Sequence, residues 1–229
     1  YVYPPQMRST RDLLRRRTYL MRKRAELLVH VQNTNSQYNL PEIGKKIAYR
    51  ANRSGVAQRF SDPAVQTSIA ADLSLIDFYD TLLNRLELFI TSQAKQQDHH
   101  SFYLLRSVPG IGKILALTLL YEIHDITRFP RVQEFVSYCR LVKCSRQSAG
   151  KNYGFSGKKI GNVHLKWAFS EAAVLFLRHN PEGQKLVARL ERKHGKAKAL
   201  TILAHKLARA VYFILRREKA FDLTQFLAA

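Results

Sequence analysis

The chain has 229 residues, with 38 Lys and Arg against 17 Asp and Glu, a formal net charge of +21 and a pI near 10.3. That surplus selects polyanionic partners, because each phosphate neutralised by Lys or Arg releases counterions, and 46% apolar residues argue against a chain disordered throughout. No apolar run approaches the ~20 residues of a spanning helix, and two cysteines, Cys139 and Cys144, are too few for a disulfide scaffold or a zinc site. The eight histidines show no metal-ligand spacing, so no cofactor is expected on this chain and its thiols read as structural ones in a reducing cytosol. An anionic membrane surface is the main competitor to nucleic acid. The sequence begins at Tyr1 without a signal pattern, so its natural start is expected further upstream.

From Arg8 to about Val31 the chain reads as a basic amphipathic helix. Leu13, Leu20 and Leu27 recur every seven residues, as do Leu14, Met21 and Leu28, while arginines crowd the other faces. A polar break at Asn33–Asn39 with Pro41 precedes a short helix around Glu42–Arg53. Asp62-Pro63 is a helix start, with Asp62 as cap and Pro63 in the first turn. The helix it opens is read to Gln97, with Ile76, Tyr79, Leu83, Leu86 and Ile90 at 3-4-3-4 spacing and Ile69 and Leu73 out of phase. A coiled-coil arm and an ordinary core helix fit that spacing equally well.

Gln96–Ser101 is the expected boundary between a region at 1–100 and a helical domain at 101–229. A short helix to Arg106 comes next, then helices at Ile111–His124 and Val132–Tyr138. A Gly- and Lys-rich loop at Leu141–Asn162 has room for a β-hairpin, and helices follow at Val163–His179, Glu182–Lys193 and Lys196–Arg217.

Val108–Lys113 (VPGIGK) lies between two of these helices. In a helix-hairpin-helix the glycines permit a tight turn, and the N–H groups opening the second helix face a phosphate. Gly110, Gly112 and Lys113 would make that contact, with Val108 and Ile111 buried, and it would position a duplex without reading its sequence. The bland alternative is a plain interhelical turn; the charge of the chain favours the phosphate reading. The loop CSRQSAGKNYGFSGKKIGN at Cys144–Asn162 matches neither a Walker A nor a GxGxxG pattern. It brings Arg146, Lys151, Lys158 and Lys159 together with Ser145, Ser148 and Ser156. A serine among basic groups can attack a phosphodiester; composition alone prefers a loop that only grips phosphate.

The order of these features is more specific than any one of them. SVPGIGKILALTLLYEIHDITRF followed by RLVKCSRQSAGKNYGFSGKKIGNVHLKWAFSEAA resembles the C-terminal domain of transposases of insertion sequence family 110, which includes Piv-type DNA invertases. The resemblance runs from about Leu104 to Leu215 through the hairpin, Phe129, the Q-S-A-G-K loop and the K-K-I-G-N-x-x-L-K helix start. YVYPP…RDLLRRR resembles the segment that follows the family's RNase H-like domain.

This resemblance implies DNA recombination guided by a structured bridge RNA through a phosphoserine intermediate. The family's Ser-(Ser/Ala)-Gly motif maps its nucleophile onto Ser148, with Ala149 and Gly150 completing it; Ser145 and Ser156 lack the small-Gly pair. Four acidic residues that hold a divalent metal belong to the RNase H-like domain, so Mg2+ is expected only with that domain, and the chain alone is expected to bind without cutting. Asp72, Asp77, Asp80 and Glu87 read instead as solvated or coiled-coil positions.

The expected fold is mainly α, a long helical coiled-coil arm followed by a compact helical domain with a helix-hairpin-helix and a Gly/Lys-rich loop. The expected partners are double-stranded DNA, a structured guide RNA and a second copy of the chain (dimer or tetramer) through Asp62–Gln97, with no membrane, in a prokaryotic cytoplasm at the nucleoid. The runner-up is a non-catalytic nucleic-acid-binding module whose loop and hairpin only hold the backbone. A helical assembly protein that meets a membrane or an acidic partner is the third class.

Overall fold

Helical periodicity governs most of the chain, and the fold is mainly α. The computed structural model describes residues 1–142, 144–156 and 160–228, the backbone alone at 144–148, 152, 153, 155 and 156. Its helices are α1 (Pro5–Gln37), α2 (Pro63–Arg106), α3 (Lys113–Ile123), α4 (Val132–Tyr138), α5 (Val163–Phe176), α6 (Pro181–His194), α7 (Lys196–Arg217) and α8 (Leu223–Ala228). Strands β1 (Cys144–Ser148) and β2 (Lys151–Ser156) form an antiparallel pair. The chain divides into two compact units, Asp12–Ser92 on the one hand and Tyr1–Arg11 with Gln93–Ala229 on the other.

In the unit Asp12–Ser92, α1 and α2 run antiparallel. Arg17 pairs with Glu87 (Nε–Oε1 2.9 Å), Arg24 with Asp80 (2.6 Å) and His30 with Asp72 (2.5 Å), so partner numbers fall as α1 advances. On α2, Ile69, Ile76, Leu83 and Ile90 are buried at seven-residue steps, which puts Ile69 in phase with the rest. The four carboxylates of α2 read as solvated or coiled-coil positions are therefore each hydrogen-bonded, Asp72 by His30 and Asp77, Asp80 and Glu87 by arginines. Asp77 and Asp80 both receive Arg53, a buried side chain whose Nε donates to the Ile47 carbonyl at 2.9 Å and whose Nη2 reaches Asp80 at 2.7 Å.

Around Arg53 the expected short helix gives way to 3-10 turns at Arg50–Asn52 and Ala57–Arg59. Ala57 of the second turn and its flanking residues Val56 and Phe60 join Val31, Ile47 and Ile69 in one cluster. Burial of those side chains, not helix propensity, sets the path of this segment.

In the other unit α3 is buried on nearly every face, from Leu115 to Ile123, as a helix apolar all round must be. It packs on α5, which packs on α7, and α4 and α6 also lie against α7. Phe135 meets Phe169 (6.1 Å between ring centroids) and Tyr212 (5.9 Å), and the Tyr212 hydroxyl donates to the Phe129 carbonyl. Phe129 is thus a core residue. The Tyr3 hydroxyl fixes the first residues of the chain to the Tyr121 carbonyl at 2.7 Å. Polar Gln96–Ser101 is helical on either side of a kink at Asp98 (φ −158°, ψ 75°). There the Asp98 carboxylate accepts from the Ser101 amide at 2.9 Å and caps the segment that ends at Arg106.

Candidate nucleic-acid interface

Two features of the unit Tyr1–Arg11 with Gln93–Ala229 bear on phosphate chemistry: the turn between α2 and α3, and the β-hairpin before α5. At the turn, Val108 and Ile111 are buried, and the Ile111 amide donates to the Val108 carbonyl at 3.0 Å. Ser107 Oγ donates to the Leu104 carbonyl at 2.6 Å and accepts from the Phe221 amide at 2.9 Å, which ties the turn to the segment after α7.

The two glycines differ. Gly110 sits at φ +83°, and a Cβ there would lie 2.5 Å from the backbone nitrogen of Phe176, so both conformation and packing exclude a side chain. Gly112 has extended backbone with open space around it, and it heads α3 without any side-chain cap. Gly112 and Lys113 are exposed. The first turn of α3 thus presents its positive end at the surface, the arrangement that accepts an anion.

The β-hairpin pairs Cys144 with Ser156, Ser145 with Phe155, Gln147 with Asn152 and Ser148 with Lys151, and its register shifts between Ser145 and Gln147, where Arg146 lies. Ala149 and Gly150 form the two-residue turn, both at positive φ (+49° and +74°), as a tight hairpin with the natural strand twist requires. Ser148 is therefore the last paired residue before the turn, with exposed Lys151 across from it. Lys158 and Lys159 lie outside the described residues.

At the base of the hairpin, Gly161 (φ +91°) packs so tightly that a Cβ would meet the Tyr138 carbonyl at 2.5 Å. The Asn162 amide donates to that same carbonyl at 2.7 Å, and Arg140 Nε donates to the Gly161 carbonyl at 3.0 Å. The Asn162 side chain does two jobs. Its Oδ1 caps α5 by accepting from His164 and Leu165, and its Nδ2 donates to the buried Glu122 carboxylate at 2.7 Å. Asn162 is the Asn of the K-K-I-G-N-x-x-L-K helix start, and its place before an apolar helix marks it as an N-cap; no local pattern marks Glu122.

Glu122 ends α3 where Asn162 starts α5, and Gly110 precedes α3 where Phe176 ends α5. The two helices are thus antiparallel, and the turn and the hairpin base lie at opposite ends of the pair. The 11 residues of α3 put them roughly 16 Å apart at ~1.5 Å per residue. Near the hairpin base the Arg128 guanidinium stacks on Tyr1 (4.3 Å), Phe129 (4.5 Å) and Tyr138 (4.8 Å). Burial pushes the Cys139 thiol well up, so it stays protonated and is a poor nucleophile. Burial likewise pushes Tyr121 up to about 12, and its hydroxyl is held as a donor to Gln97 at 2.9 Å. Among the described residues no three His, Cys, Asp or Glu side chains group as metal ligands, and no helix is long and apolar enough to cross a membrane.

Residues 103–188 match the model of the family described as Transposase IS116/IS110/IS902 family. The chain is 34% identical over 131 residues to the pilin gene-inverting protein of Moraxella bovis, covering 54% of this chain and 39% of that protein. It is 26% identical over 233 residues to the transposase for insertion sequence element IS1111A of Coxiella burnetii, covering 94% of this chain and 61% of the relative. An insertion element IS110 uncharacterized 43.6 kDa protein of Streptomyces coelicolor is 30% identical over 121 residues, 52% of this chain and 29% of that protein. The chain thus spans less than two thirds of the length of each. The family match covers both the turn and the hairpin.

Proposed function

We propose that this chain is the DNA-handling part of an insertion-sequence transposase or DNA invertase, in which the α2–α3 turn acts as a helix-hairpin-helix phosphate grip and Ser148 is the nucleophile. The observation that carries the reading is the position of Ser148, last paired residue before an exposed two-residue turn, within the segment that matches the transposase family. The Ser148 hydroxyl attacks a backbone phosphorus, a phosphoserine ester forms, and the displaced strand leaves with its hydroxyl. Attack on that ester by another strand's hydroxyl rejoins DNA and restores the serine. Arg146, Lys151, Lys158 and Lys159 offset the charge that develops on phosphorus.

Gly112 and Lys113 hold a duplex phosphate at the far end of the α3/α5 pair. The turn lies roughly 16 Å from the hairpin base, about five base pairs at ~3.4 Å each, and Ser148 lies at the other end of the hairpin from that base. A structured guide RNA supplies target choice, and copies of the chain assemble through the exposed apolar face of α2, where Leu75, Phe78 and Phe89 stand out. Among the described residues no group of three His, Cys, Asp or Glu side chains could hold the Mg2+ expected for the full-length enzyme.

The test is strand exchange by the complete gene product with its RNA and DNA. Ser148→Ala is expected to bind both nucleic acids within about twofold of the parent and to join no strands. Strand joining by that variant would remove Ser148 from the mechanism and leave the non-catalytic binding module as the account of this chain.

A further inference from the structure

A cavity of about 300 Å³ opens between α7 and the segment Lys219–Phe226, and neither the turn nor the hairpin uses it. Its lining combines two chemistries. Lys206, Arg209 and Arg217 supply positive charge, and Phe213, Phe221 and Phe226 supply aromatic faces. The single carboxylate in the lining, Asp222, accepts from the Gln225 amide at 2.9 Å.

The rings are fixed in place. Phe221 and Phe226 lie 5.2 Å apart and both contact Phe176 (6.4 and 5.4 Å), while the Phe221 amide is held by Ser107 Oγ. The cations are already seated on them, Lys206 Nζ 5.0 Å above Phe226 and the Arg217 guanidinium 4.8 Å above Phe213. Burial, and to a lesser degree nearby Arg189, lowers the Lys206 pKa. A groove that ends at Leu227, lined by Lys185, Arg189 and Arg192 with one carboxylate, Glu182, which accepts from Lys185 at 2.8 Å, extends the basic surface.

Free phosphate would use the cations and leave the rings idle, and an apolar ligand would do the reverse. A duplex keeps its bases stacked inside and offers no ring to a cavity of this size, which lies at the small end of ligand pockets. We infer that the cavity receives one unpaired nucleotide of a nucleic-acid strand, its base among the phenylalanines and its phosphate on Lys206, Arg209 and Arg217, with the strand continuing along Lys185, Arg189 and Arg192. Such pairing of aromatic platforms with a basic track is how unpaired strands are held without regard to sequence. Because Phe221 is tied to Ser107, this strand lies at the turn end of the α3/α5 pair, away from Ser148. The inference rests on the nucleic-acid reading above but not on the serine.

Fluorescence anisotropy of the 229-residue chain tests it with labelled oligodeoxythymidylate of about ten nucleotides and with a duplex probe at about 0.15 M salt. Phe213→Leu is expected to weaken single-strand binding about tenfold, the loss of one base–aromatic stack, and to leave duplex binding within about twofold. Arg217→Gln, an exposed position with little bearing on folding, is expected to weaken the single strand more than the duplex. Arg216→Gln, its exposed neighbour outside the cavity, is expected to weaken both alike and slightly. Equal loss of both probes in Arg217→Gln, or single-strand binding unchanged in both cavity variants, overturns the proposal while intact duplex binding leaves the function above standing. Failure of the parent to bind either probe overturns both. Displacement of the strand by micromolar thymidine monophosphate makes the occupant a free nucleotide, and displacement by oligoglutamate makes it an acidic peptide; either result also overturns the inference.

Discussion

Gly110 and Gly112 share one short motif and answer to different constraints. Gly110 is fixed by its left-handed φ and by the Phe176 backbone where its Cβ would be, so Gly110→Ala is expected to cost about 2–4 kcal/mol of stability. Gly112 has free space and extended backbone, and Gly112→Ala is expected to cost about 1 kcal/mol or less. Denaturant midpoints of the two variants check this, and equal losses would contradict the packing account. A motif read from sequence shows that two glycines are needed. The reason for the first comes from α5, more than sixty residues away, and no local pattern announces it.

At the scale of elements, the hairpin that carries Ser148 is held from its base. Asn162→Ala removes the α5 cap and its hydrogen bond to the buried Glu122 carboxylate; the expected loss is about 2–3 kcal/mol, measured by urea unfolding. In the other unit, Arg53 joins two carboxylates and two carbonyls, and Arg53→Ala is expected to cost about 2–3 kcal/mol, below the value for a fully buried pair because Asp77 and Asp80 are partly exposed. Burial alone would raise the Asp80 pKa, but its hydrogen bonds from Arg24 and Arg53 outweigh that and hold it below the usual value of 3.8. A depressed carboxylate contributes stability above its unfolded pKa and loses it as pH falls through the folded one. Stability is therefore expected to decline below about pH 4, and less steeply in Arg53→Ala, as thermal melts across that range would show.

Elements with strong periodicity were legible in the sequence: Lys196–Arg217 and Val132–Tyr138 form helices with those bounds. The 3-10 path around Arg53, the extra helix α8 and the Phe221–Phe226 cavity were not, because contacts distant in sequence create them. The β-hairpin was legible as an allowance, since Ala149-Gly150 is a weaker turn signal than Asn-Gly. The placement of Ser148 before that turn comes from the pairing register.

Taken whole, a chain of net charge +21 is expected to meet a duplex chiefly through phosphates. Its affinity is expected to fall linearly on a log–log plot of binding constant against salt, with a slope that shrinks by about one when Lys113→Ala removes one phosphate contact. A flat plot would favour an acidic or membrane partner. In the proposed mechanism DNA becomes covalently attached to one serine. The most direct measurement of that attachment is peptide mass spectrometry of the complete gene product trapped on cleaved DNA with its RNA. The account predicts a nucleotide adduct on the peptide containing Ser148, fragmenting to that residue and missing in Ser148→Ala. An adduct on Ser145, Ser156 or a tyrosine, or trapped DNA that survives Ser148→Ala, would contradict it.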